Sequence, residues 1–386
     1  MTVVRTLALI FALMPSLLAQ DISLDSSANK VGESAISIEN YADADVVRYS
    51  VVTLRGLVSN GDSGIAVVEN VSSDKETRIV RANVIQGRFK ALVELVPGRN
   101  DFLIGNGSLR LNFSLIYRRS FNENVVRLIS FVPSDSALSN GGNDETLIPM
   151  EDGEIVRKLV VAAKLWQTAT AERLFDLGYG RRTFALETDD TGEVVVWRKR
   201  GKRLAKEYRE LPPRERFNTI RREVLEDSQR IGELVFFVCF DSRAKNESDF
   251  SSKDAIALGV DSFSLLDAQR TIAWPESIAV VASSFSDSSP IPAIYLKDSA
   301  YRGTRWALTA STLGAGWHEL SHAFGLKHTS DPSDVMSRGF DRFNRVFMVY
   351  EPKCAFHDGL IVGEKDNVGW SRENAEILLR SKWITE

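Results

Sequence analysis

Three of the four histidines fall within eleven residues, His318-Glu319-Leu320-Ser321-His322-Ala323-Phe324-Gly325-Leu326-Lys327-His328. Two histidines four positions apart on a helix stand one above the other, so both imidazoles reach a single ion. A third ligand has to come from beyond the helix. Gly325 supplies the break, because glycine adopts the left-handed conformation that ends a helix without steric cost. The chain then turns back and brings His328 to the same point. Glu319, one position on from His318, points into another sector and stays outside the ligand set.

Three neutral imidazoles leave the dipositive charge of Zn2+ intact and a fourth position open. A zinc ion so held lowers the pKa of a coordinated water from about 15.7 towards ~7. Glu319 is placed to take that water's proton during attack on a carbonyl and to pass it to the leaving amine. The rival reading is a buried amphipathic helix with packed histidines. It uses different positions: Ala315, Trp317, Leu320, Ala323 and Phe324 can hold the helix while the polar face binds metal.

Met336 lies eight residues beyond His328 in the turn-rich run Asp331-Pro332-Ser333-Asp334-Val335-Met336-Ser337-Arg338-Gly339-Phe340. Alone it reads as a core gap-filler. At this distance from the histidines the chain resembles the metzincin metallopeptidases, in which a methionine in a tight turn lies beneath the zinc ligands. The histidine-to-methionine spacing is similar to that of the matrix-metalloproteinase branch. The Met-Ser-Arg-Gly-Phe run departs from matrixins, astacins and reprolysins, and resembles a family of eukaryotic zinc metallopeptidases sharing the H-E-x-x-H-x-x-G-x-x-H core. Trp370 to Trp383, with Ala375-Glu376-Ile377-Leu378, is similar to that family too. The resemblance implies a zinc endopeptidase acting on a protein or peptide substrate. It makes His318, His322 and His328 the ligands, Glu319 the general base, and Gly325 and Met336 structural supports. It implies no particular substrate. Two alternatives stay open: a zinc hydrolase of non-peptide amides, and a non-catalytic binding module with structural zinc. Arg338, Tyr350 and His357 are rival candidates for stabilising an oxyanion.

A net charge of −4 gives no reason to expect nucleic acid. Residues 1–19 carry Arg5, a short apolar run and Ala19, the pattern of a secretory signal. The run falls short of the ~20 residues that span a bilayer, so no stable membrane insertion is expected. Secretion would permit glycans at the sequons Asn70, Asn106, Asn112 and Asn246. It would also permit a disulfide between Cys239 and Cys354, with two separate thiols as the alternative. No cysteine precedes Cys239 to cap the metal as a latent precursor of the matrixin kind would need. The densest basic run, Trp197 to Arg203, reads as a solvated loop or a polyanion contact.

The organisation expected is a signal over 1–19, an all-β immunoglobulin-like sandwich over 22–122 and a catalytic region over 123–386. Short alternating runs, among them Val47–Leu54 and Leu109–Tyr117, predict the strands of the first part. In the second, helical spacing predicts a long helix over Glu154–Leu177, stopped by Gly178, and another over Pro213–Glu226. Strands fit Val126–Val132, Glu193–Arg198, Leu234–Phe240 and Ser277–Ala282. The last is expected to be an edge that pairs with extended substrate. A mixed sheet with long helices makes the fold class α+β.

Overall fold

A computed structural model describes residues 36–59, 63–136, 148–149, 153–226, 228, 232–241, 256–363, 366 and 368–385. Ala35–Glu386 forms one compact unit. The signal-like segment 1–19, the sequon at Asn246 and most of the loop after Pro133 lie outside the described residues.

The N-terminal part is built from β1 (Ile36–Ile38), β2 (Asp45–Val47), β3 (Val51–Val58), β4 (Ser63–Asn70), β5 (Ile79–Ile85), β6 (Arg88–Glu94), β7 (Gly98–Asn106) and β8 (Leu109–Tyr117). β4 and β5 alternate buried apolar with more exposed residues, as strands with one solvated face do. Pro97-Gly98 separates β6 from β7, and β7 returns into β8 through a two-residue turn whose Gly107 has φ +56°. All eight strands lie in one hydrogen-bonded order, β1-β3-β6-β5-β4-β7-β8-β2. An immunoglobulin-like sandwich implies two separate sheets. Here β5 and β6 pair only beside their turn, at Ile85↔Arg88, and the layers on either side of that seam enclose one core with Leu54, Phe89, Val68, Phe102 and Leu115.

The remainder is a mixed α/β arrangement. β9 (Val125–Val132), β12 (Val196–Arg200), β13 (Leu234–Phe240) and β15 (Phe263–Asp267) are parallel neighbours in the order β12-β9-β13-β15. β10 (Ile148–Pro149) and β14 (Ala257–Val260) close the two edges antiparallel, and β11 (Thr183–Leu186) pairs beside β9. β9 and β13 are buried throughout, which is why Leu234–Phe240 reads as an unbroken apolar run and Val125–Val132 as one interrupted only by Arg127 and Ser130. One face is covered by α2 (Ala205–Glu210) and α3 (Pro213–Glu226) through Tyr208, Phe217 and Ile220. The other carries α1 (Glu154–Asp176) and α5 (Arg305–Ala323), locked together where Trp166 donates its indole N–H to the Leu313 carbonyl at 2.8 Å.

Several expectations are corrected. Ser277–Ala282 is no strand: Ile278–Val280 is a 3-10 turn running into the short helix α4 (Val281–Ser284). The antiparallel edge strand nearest α5 is β14, a Gly-containing run too short to show an alternating pattern. Cys239, central in β13, and Cys354 are buried as separate thiols and form no disulfide. Asn70 is only 1 % exposed and donates its amide to Asn100 at 2.9 Å, so that sequon cannot take a glycan in this fold. Asn106 is half-buried, while Asn112 is exposed. The first part of the basic run, Trp197–Arg200, is in strand β12, and only Gly201–Arg203 form a loop. Lys199 is buried, Arg200 donates to the Ser134 carbonyl and Lys202 pairs with Glu226.

Candidate active site

α5 is buried on nearly all sides because small and large residues interlock around it. Gly316 lies against Trp166, where a Cβ would come within 2.4 Å of the ring, and Gly314 against the Phe340 carbonyl at 1.9 Å. Trp317 sits 4.8 Å from Trp370 and 5.5 Å from Phe343, ring centre to ring centre. The helix ends as the sequence predicts. Gly325, at φ +95°, donates to the His322 carbonyl and Leu326 to the Ser321 carbonyl, a Schellman closure that turns the chain back.

That return brings three imidazoles together. His322 Nε2 lies 3.0 Å from His328 Nε2, which lies 3.2 Å from His318 Nε2. The outer nitrogens of two rings are engaged: Nδ1 of His318 donates to the Val335 carbonyl at 2.7 Å, and Nδ1 of His322 to the Leu326 carbonyl at 2.8 Å. These bonds place the proton on Nδ1, leaving lone pairs on the inward Nε2 atoms. Lone pairs so close repel unless a cation sits among them. Tetrahedral zinc bonded at ~2.0–2.1 Å sets its nitrogen ligands about 3.3 Å apart, so the spacing fits. Among the described residues this is the group of side chains suited to a metal ion.

Burial lowers the pKa of His318 to about 4 and lowers that of His322, so both rings are neutral donors at neutral pH. Glu319 is 7 % exposed, and burial lifts its carboxyl to about 8, partly opposed by the Gly259 N–H of β14 and the Arg270 charge. A cation among the imidazoles would draw that pKa down again and keep the carboxylate ionised. β14 lies directly on α5: a Cβ on Gly259 would fall 2.0 Å from the Glu319 carbonyl oxygen. Its glycine is what lets the edge of the sheet reach the helix.

Met336 is fully buried in the core that also holds Trp317 and Leu320 of α5. Of the three oxyanion candidates, Arg338 is the one beside the histidines. It stacks 5.1 Å above the Phe340 ring, itself 5.1 Å from the His318 ring, and pairs with Asp341 at 2.7 Å. His357 instead faces Trp306 and lies 3.7 Å from Glu351, and Tyr350 lines a cavity with Ile278 and Phe347 to which no histidine of the cluster contributes.

A family model described as "Putative peptidase family" matches residues 35–211 and 215–383. The chain belongs to that peptidase family. Among its relatives, a protein named "Putative zinc metalloproteinase" from Schizosaccharomyces pombe is 28 % identical over 345 residues, 83 % of this chain and 55 % of that protein. Another of that name from Saccharomyces cerevisiae is 23 % identical over 317 residues, 68 % of this chain and 42 % of its own length. The chain thus spans about half the length of these relatives. Solved structures with distant similarity include OgpA from Akkermansia muciniphila, with TM-score 0.42, 14 % identity and 68 % and 62 % of the two chains covered. Archaemetzincin from Methanopyrus kandleri gives TM-score 0.28, 16 % identity, and 68 % and 97 % covered.

Within this peptidase-family chain, three features escaped the sequence reading. Gly259 left no signal beyond a glycine in a short apolar run. Val335 acts through its backbone carbonyl, which no residue type announces. Asp334 stood among other turn-formers and looked no different from Asp331.

Proposed function

We propose that this chain is a secreted zinc-dependent endopeptidase of metzincin type that hydrolyses bonds in protein or peptide substrates. The observation that carries the reading is the convergence of three Nε2 atoms within 3.0–3.2 Å contacts, with a buried carboxylate one residue along the same helix. His318, His322 and His328 would hold the ion. Bound there, zinc would polarise the scissile carbonyl and acidify the attacking water. Glu319 would accept the water's proton and deliver it to the leaving nitrogen. The Gly259 N–H and the packing of β14 fix the carboxylate's direction before substrate arrives. Among the described residues β14 has one edge with no strand partner, and an extended peptide laid along it would gain main-chain hydrogen bonds and pass beside Glu319. Arg338 is the preferred candidate for meeting an oxyanion.

We further read residues 22–122 as an accessory immunoglobulin-like β region and 123–386 as the peptidase region. The secreted location rests on the signal-like pattern of residues 1–19. Among the described residues no helix is long and apolar enough to cross a membrane.

Profiling cleavage of a peptide library by purified wild type beside Glu319→Gln tests the reading. Wild type should cut, and the variant should keep zinc and lose cutting. Cleavage of small amides in place of peptides would favour the hydrolase of non-peptide amides.

A further inference from the structure

The turn carrying Met336 does more than bury a side chain in the core. Its backbone reaches two of the three histidine segments. The Val335 carbonyl takes the Nδ1 proton of His318 at 2.7 Å. The next carbonyl, that of Met336, accepts from the N–H of Thr329 at 3.2 Å, one residue past His328. The dipeptide Val335-Met336 is therefore a backbone template joining the first ligand on α5 to the last ligand beyond Gly325. His322 is set separately, by Leu326 in the same Schellman turn.

What holds that template is Asp334, which is 2 % exposed. One carboxylate oxygen accepts from the Met336 N–H at 2.6 Å, and the other from the Ser371 N–H at 2.7 Å. Its own carbonyl accepts from the N–H groups of Ser337 and Gly339, both at 2.9 Å. Alongside, Val335 donates to the Gly369 carbonyl at 3.1 Å, and Trp370 between Gly369 and Ser371 reaches back to Ser321 of α5 at 3.1 Å. Gly339 has to be glycine here, since a Cβ would stand 2.1 Å from the Ser333 carbonyl. A single buried carboxylate thus ties the turn to the strand-like run 369–371 and so to the zinc-binding helix.

We infer that Asp334 is a positioning residue of the metal centre, orienting the Val335-Met336 backbone that fixes His318 and the His328 segment. This rests on reading the triad as a zinc site. Groups that orient a metal-bound histidine commonly cost 10–100-fold in metal affinity when removed. Asp331 is the natural control. It makes a similar turn through Ser333, accepting at 2.8 and 2.7 Å, but is exposed and reaches no histidine segment.

The test is zinc affinity by chelator competition, read together with thermal unfolding of the metal-free proteins. Asp334→Asn keeps the shape but sets an N–H₂ against an N–H, and should weaken zinc about 10–100-fold. Asp331→Asn should stay within about threefold of wild type. Should the asparagine variant not fold, Asp334→Ser serves, since its hydroxyl can accept from Met336 but not reach Ser371, and it should weaken zinc by a smaller factor. Wild-type zinc affinity in a folded Asp334 variant overturns the inference, as does an equal loss in Asp331→Asn. Failure of wild type to bind zinc would instead sink the reading of the triad.

Discussion

The two halves of the molecule bury their strands in different ways. β4 and β5 of the N-terminal sheet alternate buried positions with more exposed ones, whereas β9 and β13 are buried along their whole lengths between helices. A half-solvated sheet tolerates change on its outer face. A sheet covered on both faces holds its neighbours in fixed places, and the histidine-bearing helix is packed against that one. The two halves meet through apolar packing, with Val51 and Leu92 in the core around α1, and through polar contacts. Glu172 of α1 accepts from Asn40 at 2.8 Å and Tyr41 at 2.9 Å, and Lys90 of β6 donates to the Arg345 carbonyl at 2.6 Å.

The sharpest way to break this contrast is at the site itself. Glu319→Gln should lower kcat/KM by roughly 10²–10⁴-fold with zinc content unchanged, while no outer-face substitution on the N-terminal sheet should do so. Retained turnover in that variant would remove Glu319 from the chemistry. Next in size is packing. Trp166→Ala, at a fully buried position between α5 and Phe237, should cost about 3–5 kcal/mol in urea unfolding. Ile65→Ala, on the outer face at 46 % exposure, should change stability by at most about 0.5 kcal/mol. Similar losses at the two positions would deny any difference between the halves.

A matched glycine pair sharpens the point. Gly259→Ala collides with the backbone of α5 and should cost about 1–3 kcal/mol while also depressing activity. Gly107→Ala meets nothing within 4 Å and pays only for a left-handed backbone, about 1–2 kcal/mol, with activity intact. An inactive Gly107 variant that is fully folded would contradict this.

The last test concerns the contact between the two halves. Burial lowers the Lys90 ammonium from 10.5 to about 8 in the folded chain. Between those values the unfolded chain binds more protons, so this group's contribution to stability is present above 10.5 and is lost as pH falls through about 8. Wild type should gain stability from pH 8 to 10 relative to Lys90→Met, measured as the difference in urea midpoints. Parallel pH curves for the two proteins would show that Lys90 is not buried as a cation.

Much of the site was legible beforehand because its signals are local. The four-residue spacing of His318 and His322, the helix stop at Gly325 and the turn-formers around Met336 act within a few residues of themselves. Pro213–Glu226 and Leu109–Tyr117 were readable for the same reason, with periodicities that their own side chains impose. Ser277–Ala282 was misread because a short run rich in apolar and small residues suits a strand or a helical turn equally, and only its neighbours decide. Asn70 was misread because a sequon says nothing of burial. The cysteine pair was open for a related reason: a disulfide depends on distance, which spacing along the chain does not set.

What the sequence by itself determined is the donor set: three imidazoles, a carboxylate beside the first, and a chain reversal that lets the third return. Tertiary structure decided the rest. It chose β14 as the edge over Glu319, placed Arg338 and not His357 beside the three histidines, and set the Val335 carbonyl against the His318 ring and the Met336 carbonyl against the Thr329 N–H. Those assignments depend on contacts between segments far apart in the chain, made through backbone groups that every residue possesses, and so they leave no mark in residue type.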